Sequence, residues 1–174
     1  MKSFRTTLVL VWLLFVVTGC SIRSSQLSSM IELVRGAPAD FSDSTWVIRY
    51  GDYRAQVQAI PFEGGTLFSN SLRDQAFFDG WTITRASGLG LKDSSWGVKD
   101  DTEGRHFTRE GRLSTYPACG SWVKTSLAEV TQFAQSCQGA VLYKNNILVN
   151  QLGEIALIRQ SLNGGASFVT LRKL

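Results

Sequence analysis

The chain has 174 residues, 18 of them basic and 14 acidic, with one histidine and three cysteines. That length suits a single domain able to bury a core. The basic residues form no run, which argues against nucleic acid as a partner. The cysteines and the histidine lack zinc-ligand spacing, so neither a metal nor another cofactor is expected.

Residues 1–7 hold Lys2 and Arg5 without an acid, residues 8–17 are all apolar, and Thr18-Gly19-Cys20 follows. This is the order of a secretory signal, and the apolar run is too short for a bilayer, which takes roughly 20 residues. The Gly19-Cys20 pair resembles the lipobox of bacterial lipoproteins, with Val17 and Thr18 standing where Leu and a small Ala or Ser are more usual. The resemblance implies a signal peptide at residues 1–19, a diacylglycerol on the Cys20 thiol, and a fatty acyl chain such as palmitate on its amine. Two or more chains anchor a protein stably where one is marginal. Ser21, in place of an aspartate, points to the outer membrane, with the domain on its periplasmic face. The competing reading is an ordinary secretory signal with an incidental cysteine. Loss of Lys2 and Arg5 with the signal leaves 16 basic residues against 14 acidic ones, close to neutral.

Residues 20–29, the cysteine and a serine-rich stretch, read as a tether, and residues 30–174 as one domain. Leu27, Met30, Ile31 and Val34 share a helical face that Gly36 and Pro38 would end. From Trp46 the period changes to two. Gly51-Asp52 lies between two alternating runs and suits a type II′ hairpin turn, and Asp79-Gly80 suits type I′. Residues 99–105, the most charged stretch, read as an exposed loop, and Glu110-Gly111 as the next turn. Ser126 with Glu129 makes a capping box ahead of Leu127, Val130, Phe133 and Ala134, which predicts a second helix closed by Gly139. Strands resume on either side of an Asn145-Asn146 turn, and Leu152-Gly153 and Asn163-Gly164-Gly165 supply the last turns. About nine short strands joined this way predict a mainly β fold. The expected form is an antiparallel meander making a curved sheet or half-open barrel, with one or two short helices.

Residues 46–50 and 53–60, then residues 78–91, carry the first part of a family resemblance. The C-terminal part is closer: Asn150-Gln151-Leu152-Gly153-Glu154-Ile155, Arg159-Gln160-Ser161-Leu162 and Phe168-Val169-Thr170-Leu171. Together these resemble the YjbF/GfcB group of lipoproteins, associated with capsule and exopolysaccharide export in bacteria. The resemblance spans most of the mature chain, which is shorter through its middle, and brings no catalytic motif. It implies a non-enzymatic lipoprotein that assists assembly or export of surface polysaccharide, with polysaccharide or export-machinery proteins as partners. The alternative is a carrier whose curved sheet encloses an apolar ligand such as a lipid.

His106 is the only histidine, so any Ser-His-acid triad must use it. Set among charged residues, it reads as a solvated strand position, and no catalytic residue is assigned. Asp100, Asp101 and Glu103 read as a solvated loop rather than a divalent-metal site. In an oxidising compartment Cys119 and Cys137 would close a loop of about 19 residues as a disulfide, or else remain buried thiols. Among Trp46, Trp81, Trp96 and Trp122, the ring of Trp96 lies between Ser94-Ser95 and Gly97. It is the candidate exposed ring for stacking on a sugar.

Overall fold

A computed structural model describes residues 45–91 and 94–174. The signal peptide, Cys20, the tether and the helix expected around Met30 lie outside these residues. The strands are β1 (Thr45–Tyr50), β2 (Tyr53–Phe62), β3 (Gly65–Ser69), β4 (Gln75–Phe78), β5 (Ile83–Ser87), β6 (Ser95–Asp101) and β7 (Gly104–Arg109). They continue with β8 (Arg112–Tyr116), β9 (Trp122–Ser126), β10 (Val130–Gln138), β11 (Leu142–Asn150), β12 (Ile155–Ser161) and β13 (Phe168–Lys173).

All thirteen join one antiparallel sheet in the order β8-β7-β6-β5-β4-β3-β2-β1-β13-β12-β11-β10-β9. Two meanders therefore run outward from the central β1–β13 pair. Their ends, β8 and β9, are consecutive in sequence and joined by residues 117–121. The sheet curls into a half-barrel that brings its two halves together. Trp81, before β5, lies 5.4 Å from Trp122 on β9 and 5.6 Å from Phe133 on β10. Gln160 on β12 accepts from the Ile83 N–H at 2.8 Å and donates to the Trp81 carbonyl.

Period-two patterning fills the concave face, as alternation on a pleated strand requires. Trp46, Ile48, Val57, Phe68, Phe78, Ile83, Trp96, Phe107, Ile147, Ile158, Val169 and Leu171 form one buried cluster. The Gly51-Asp52 turn has positive φ at Gly51 (+58°) and not at Asp52, the type II′ pattern expected. Glu110 and Gly111 both take positive φ, as a type I′ turn demands.

Four local expectations are corrected. Residues 130–138 are strand β10, not a helix: β10 pairs with β9 on one side and along all nine of its residues with β11 on the other. A helix of about ten residues is marginal alone, and two ladders override its weak capping box. The Leu127 N–H instead bonds the Val130 carbonyl at 2.8 Å to close a hairpin. Asn145 and Asn146 lie inside β11, where the Asn145 amide is fully buried and hydrogen-bonded. Asp79-Gly80 opens a longer loop in which the Asp79 carboxylate takes the N–H groups of Trp81 and Thr82. Residues 99–105 are the tip of the β6–β7 hairpin rather than a loop, with Asp101 paired to Gly104.

Candidate functional site

The convex face of β2–β8 carries a row of side chains set by register alone. Ile60 pairs with Leu67, Leu67 with Phe77, Phe77 with Arg85, Arg85 with Gly97, Gly97 with Thr108, and Thr108 with Leu113. Residues paired this way project from the same face, so the row crosses the sheet perpendicular to the strands. Gly97 supplies no side chain between Arg85 and Thr108, and a trough of about 450 Å³ forms there. Its walls include Phe62, Phe77, Arg85, Gln75, Ser87 and Ser95. Phe62, at the end of β2 and 62% exposed, meets Phe77 edge-on at 6.1 Å. The Arg85 guanidinium sits 5.5 Å over the Phe77 ring, a cation–π contact that holds the arginine at the rim.

A second hollow of about 490 Å³ adjoins the first through Arg85. The β5–β6 ladder stops at Arg85 and Gly97, although β5 starts at Ile83 and β6 runs on to Asp101. The strands part beyond that pair, and Asp79, Thr82, Thr84, Val98, Lys99 and Asp100 line the gap. One hollow is aromatic and hydroxylic, the other charged, and Arg85 belongs to both.

Trp96 sits beside the trough, but its side chain points inward and is 2% exposed. It packs on Tyr50 at 5.1 Å, with the Arg109 guanidinium 5.7 Å from its ring. The expected exposed ring is thus a core residue, because Trp96 shares the parity of Val98, which faces Phe107 across the hairpin. Among the described residues Phe62 is exposed, and Phe77, half-buried between buried Ala76 and Phe78, turns its ring outward by strand parity.

Cys119 and Cys137 are joined by a disulfide, which staples the 117–121 link to β10. Beside it lies Arg105 on β7, 1% exposed, a residue that the sequence hid in its most charged stretch. Its Nη1 contacts Asp100 Oδ2 at 3.2 Å, Gln135 Oε1 at 3.2 Å and Cys119 Sγ at 3.3 Å. Asn145 donates to Gln135 Oε1 at 3.2 Å and accepts from the Ser161 N–H at 3.1 Å. Arg105 Nε and Nη2 and the Tyr143 hydroxyl have no partner among the protein atoms. Each such group costs about 1–3 kcal/mol, more where it is charged. Burial pushes the Asp100 carboxyl up against the pull of Arg105, and pushes the Tyr143 phenol up likewise.

His106 is held between Thr115 Oγ1 and Asp101 Oδ1, each at 2.9 Å. Its hydrogen bond, with those of the Glu103 N–H and Lys99, holds the Asp101 carboxyl well below the usual carboxylate range. This acid–imidazole–hydroxyl chain lies on the outer side of the β6–β8 hairpins and lines neither hollow. Asp101 and Glu103 therefore organise the hairpin tip, while Asp100 turns inward to Arg105. Among the described residues no group of three or more His, Cys, Asp or Glu is placed to hold a metal.

No protein-family model matches the sequence, and no curated protein is significantly similar to it. Among solved structures the chain is similar to the hypothetical lipoprotein YmcC from Escherichia coli K12. The TM-score is 0.50 at 11% identity, over 86% of this chain and 96% of that one. A likeness at that identity shows the fold alone. The curled antiparallel sheet is one that a bacterial lipoprotein-like chain also adopts.

Proposed function

We propose that the protein is a non-enzymatic lipoprotein, anchored to the outer membrane through Cys20 and facing the periplasm, that assists assembly or export of a surface polysaccharide. The observation that carries this reading is the cross-strand row from Ile60 to Leu113, with Phe77, Arg85 and the Gly97 trough at its centre. Aromatic faces pack on sugar rings, and Arg, Gln, Ser and Thr side chains around them bond hydroxyls. A groove running across strands and continuing into a second hollow suits a chain-like ligand better than a compact one. The shared fold with a hypothetical lipoprotein and the lipobox-like Gly19-Cys20 support the anchor. The alternative, a carrier for an apolar ligand, draws no support from the concave face, where Trp46, Phe68, Trp96, Ile147 and Ile158 pack together.

The test is retention of the protein on immobilised surface polysaccharide. Phe77→Ala and Arg85→Ala should each weaken it by roughly fivefold, the equivalent of about 1 kcal/mol, with the unfolding midpoint held close to wild type. In cells, Cys20→Ala should abolish uptake of labelled fatty acid. Unchanged retention in both groove variants would remove the glycan reading, and acylation of the Cys20 variant would remove the anchor.

A further inference from the structure

Every side-chain hydrogen bond of the buried Arg105 falls on one nitrogen, Nη1, while its guanidinium also lies 5.7 Å from the Phe107 ring. Nε and Nη2, two edges of the same planar fork, are left as donors without acceptors. The Tyr143 hydroxyl is also orphaned and buried, and the Arg105 charge acts on its phenol. Tyr143 pairs with Cys137 across the β10–β11 ladder, two positions from the Gln135–Asn145 pair. Nearby acceptors are already engaged: Gln135 Oε1 takes Arg105 and Asn145, and Asn145 Oδ1 takes the Ser161 N–H. The region thus offers a guanidinium edge that can only donate and a phenol that can donate or accept. A water accepting from the guanidinium would bring two protons, of which the Tyr143 oxygen could take one and the other would need a further acceptor. A group that only accepts satisfies the donors without that demand, and the guanidinium charge favours a negative one. Asp100 answers part of that charge, but from the Nη1 side and with a side chain 44% exposed.

We propose that Arg105 Nε and Nη2 and the Tyr143 hydroxyl form an internal binding site for one small monovalent anion, of halide or short-carboxylate size. The ion reaches it from the gap where β5 and β6 part. Arg85, Lys99 and Asp100 line that gap, and Asp100 is the residue bonded to Arg105. The site shares no ligand group with the trough, and the hollow that continues the glycan groove serves it only as an entry.

The probes are chloride and bromide. At constant ionic strength, replacing a bulky sulfonate salt by sodium chloride should raise the melting temperature with saturation. In crystals grown in bromide, an anomalous peak should lie within hydrogen-bond distance of Arg105 Nη2. Tyr143→Phe removes one donor without a large packing change, so it should fold and raise the half-saturating chloride concentration about fivefold or more. It should also match or exceed wild-type melting in chloride-free buffer, because one orphaned group is gone. A melting temperature indifferent to the anion, the same chloride dependence in Tyr143→Phe, or an ordered water with no anomalous peak would each overturn the site.

Discussion

Opening the Cys119–Cys137 bridge should lower the stability of the domain by about 3 kcal/mol, because the bridge spans 18 positions and a loop of that size carries about that closure entropy at 25 °C. The freed segment, residues 119–137, contains the end of the 117–121 link, the edge strand β9, the β9–β10 turn and most of β10. β9 takes its ladder bonds from β10 alone, so little of the sheet compensates for the added freedom of the unfolded chain. In a domain of this size the loss corresponds to a fall in Tm of roughly 10 °C. Urea unfolding of oxidised protein, reduced protein and the Cys119→Ala/Cys137→Ala variant measures it. Cys137 is buried, so the variant should lose up to about 1 kcal/mol more than reduction does. The m value should rise in both, since an uncrosslinked unfolded chain exposes more surface. A loss below about 1 kcal/mol on reduction would refute the entropic reasoning. Two alkyl groups on exported protein, labelled in denaturant without reductant, would show that the bridge does not form.

Trp96→Ala should lower stability by about 3–5 kcal/mol as a core truncation, while the molecules that remain folded keep wild-type retention on polysaccharide; lost retention in folded protein would return the contact to Trp96. Tyr53 donates to the Asp74 carboxylate at 2.6 Å, and that bond, ahead of burial, pushes its pKa up to about 12. The raised value means that the stabilisation is complete below the ordinary tyrosine range near 10 and is lost as pH rises through about 12. An ultraviolet titration should show one late tyrosine, and Asp74→Asn should return it towards the ordinary value; no late phase in the native protein contradicts the assignment.

Hairpins were legible where glycine supplied a positive φ, as at Gly51 and Gly111, because local sterics decide those turns. Parity along a strand was equally local, yet it was outvoted at Trp96 by the polar neighbours Ser94, Ser95 and Gly97. Reading Trp96 with Val98 on one face would have buried the ring, whereas the outward setting of Phe77 and Arg85 follows from their register with Gly97. The false helix at residues 130–138 shows the opposite limit. Its 3.6-residue pattern was real, but strand pairing with Lys144 and Trp122 partners cannot be read from the segment itself. Arg105 was beyond reach for the same reason. Its burial depends on Gln135, thirty positions away, being carried to it by the curl of the whole sheet.

The place of that arginine follows from how the half-barrel closes. β8 and β9 end the sheet, and exposed edges invite pairing with other chains. The two halves meet here through side chains: the disulfide, the Arg105–Gln135 contact, and the Tyr116 ring lying against the backbone of Gly164, where a Cβ would come within 2.7 Å. Side chains closing such a junction are bonded in fixed directions, so they specify how the halves align more sharply than apolar contact does. β7 connects this junction to the convex groove. Its Arg105 turns inward to the junction, and three residues on its Thr108 turns outward to the trough. The same strand therefore anchors the closure and positions one wall of the groove. The donors left over on Arg105 belong to that anchoring residue, so an anion held there would brace the junction from within.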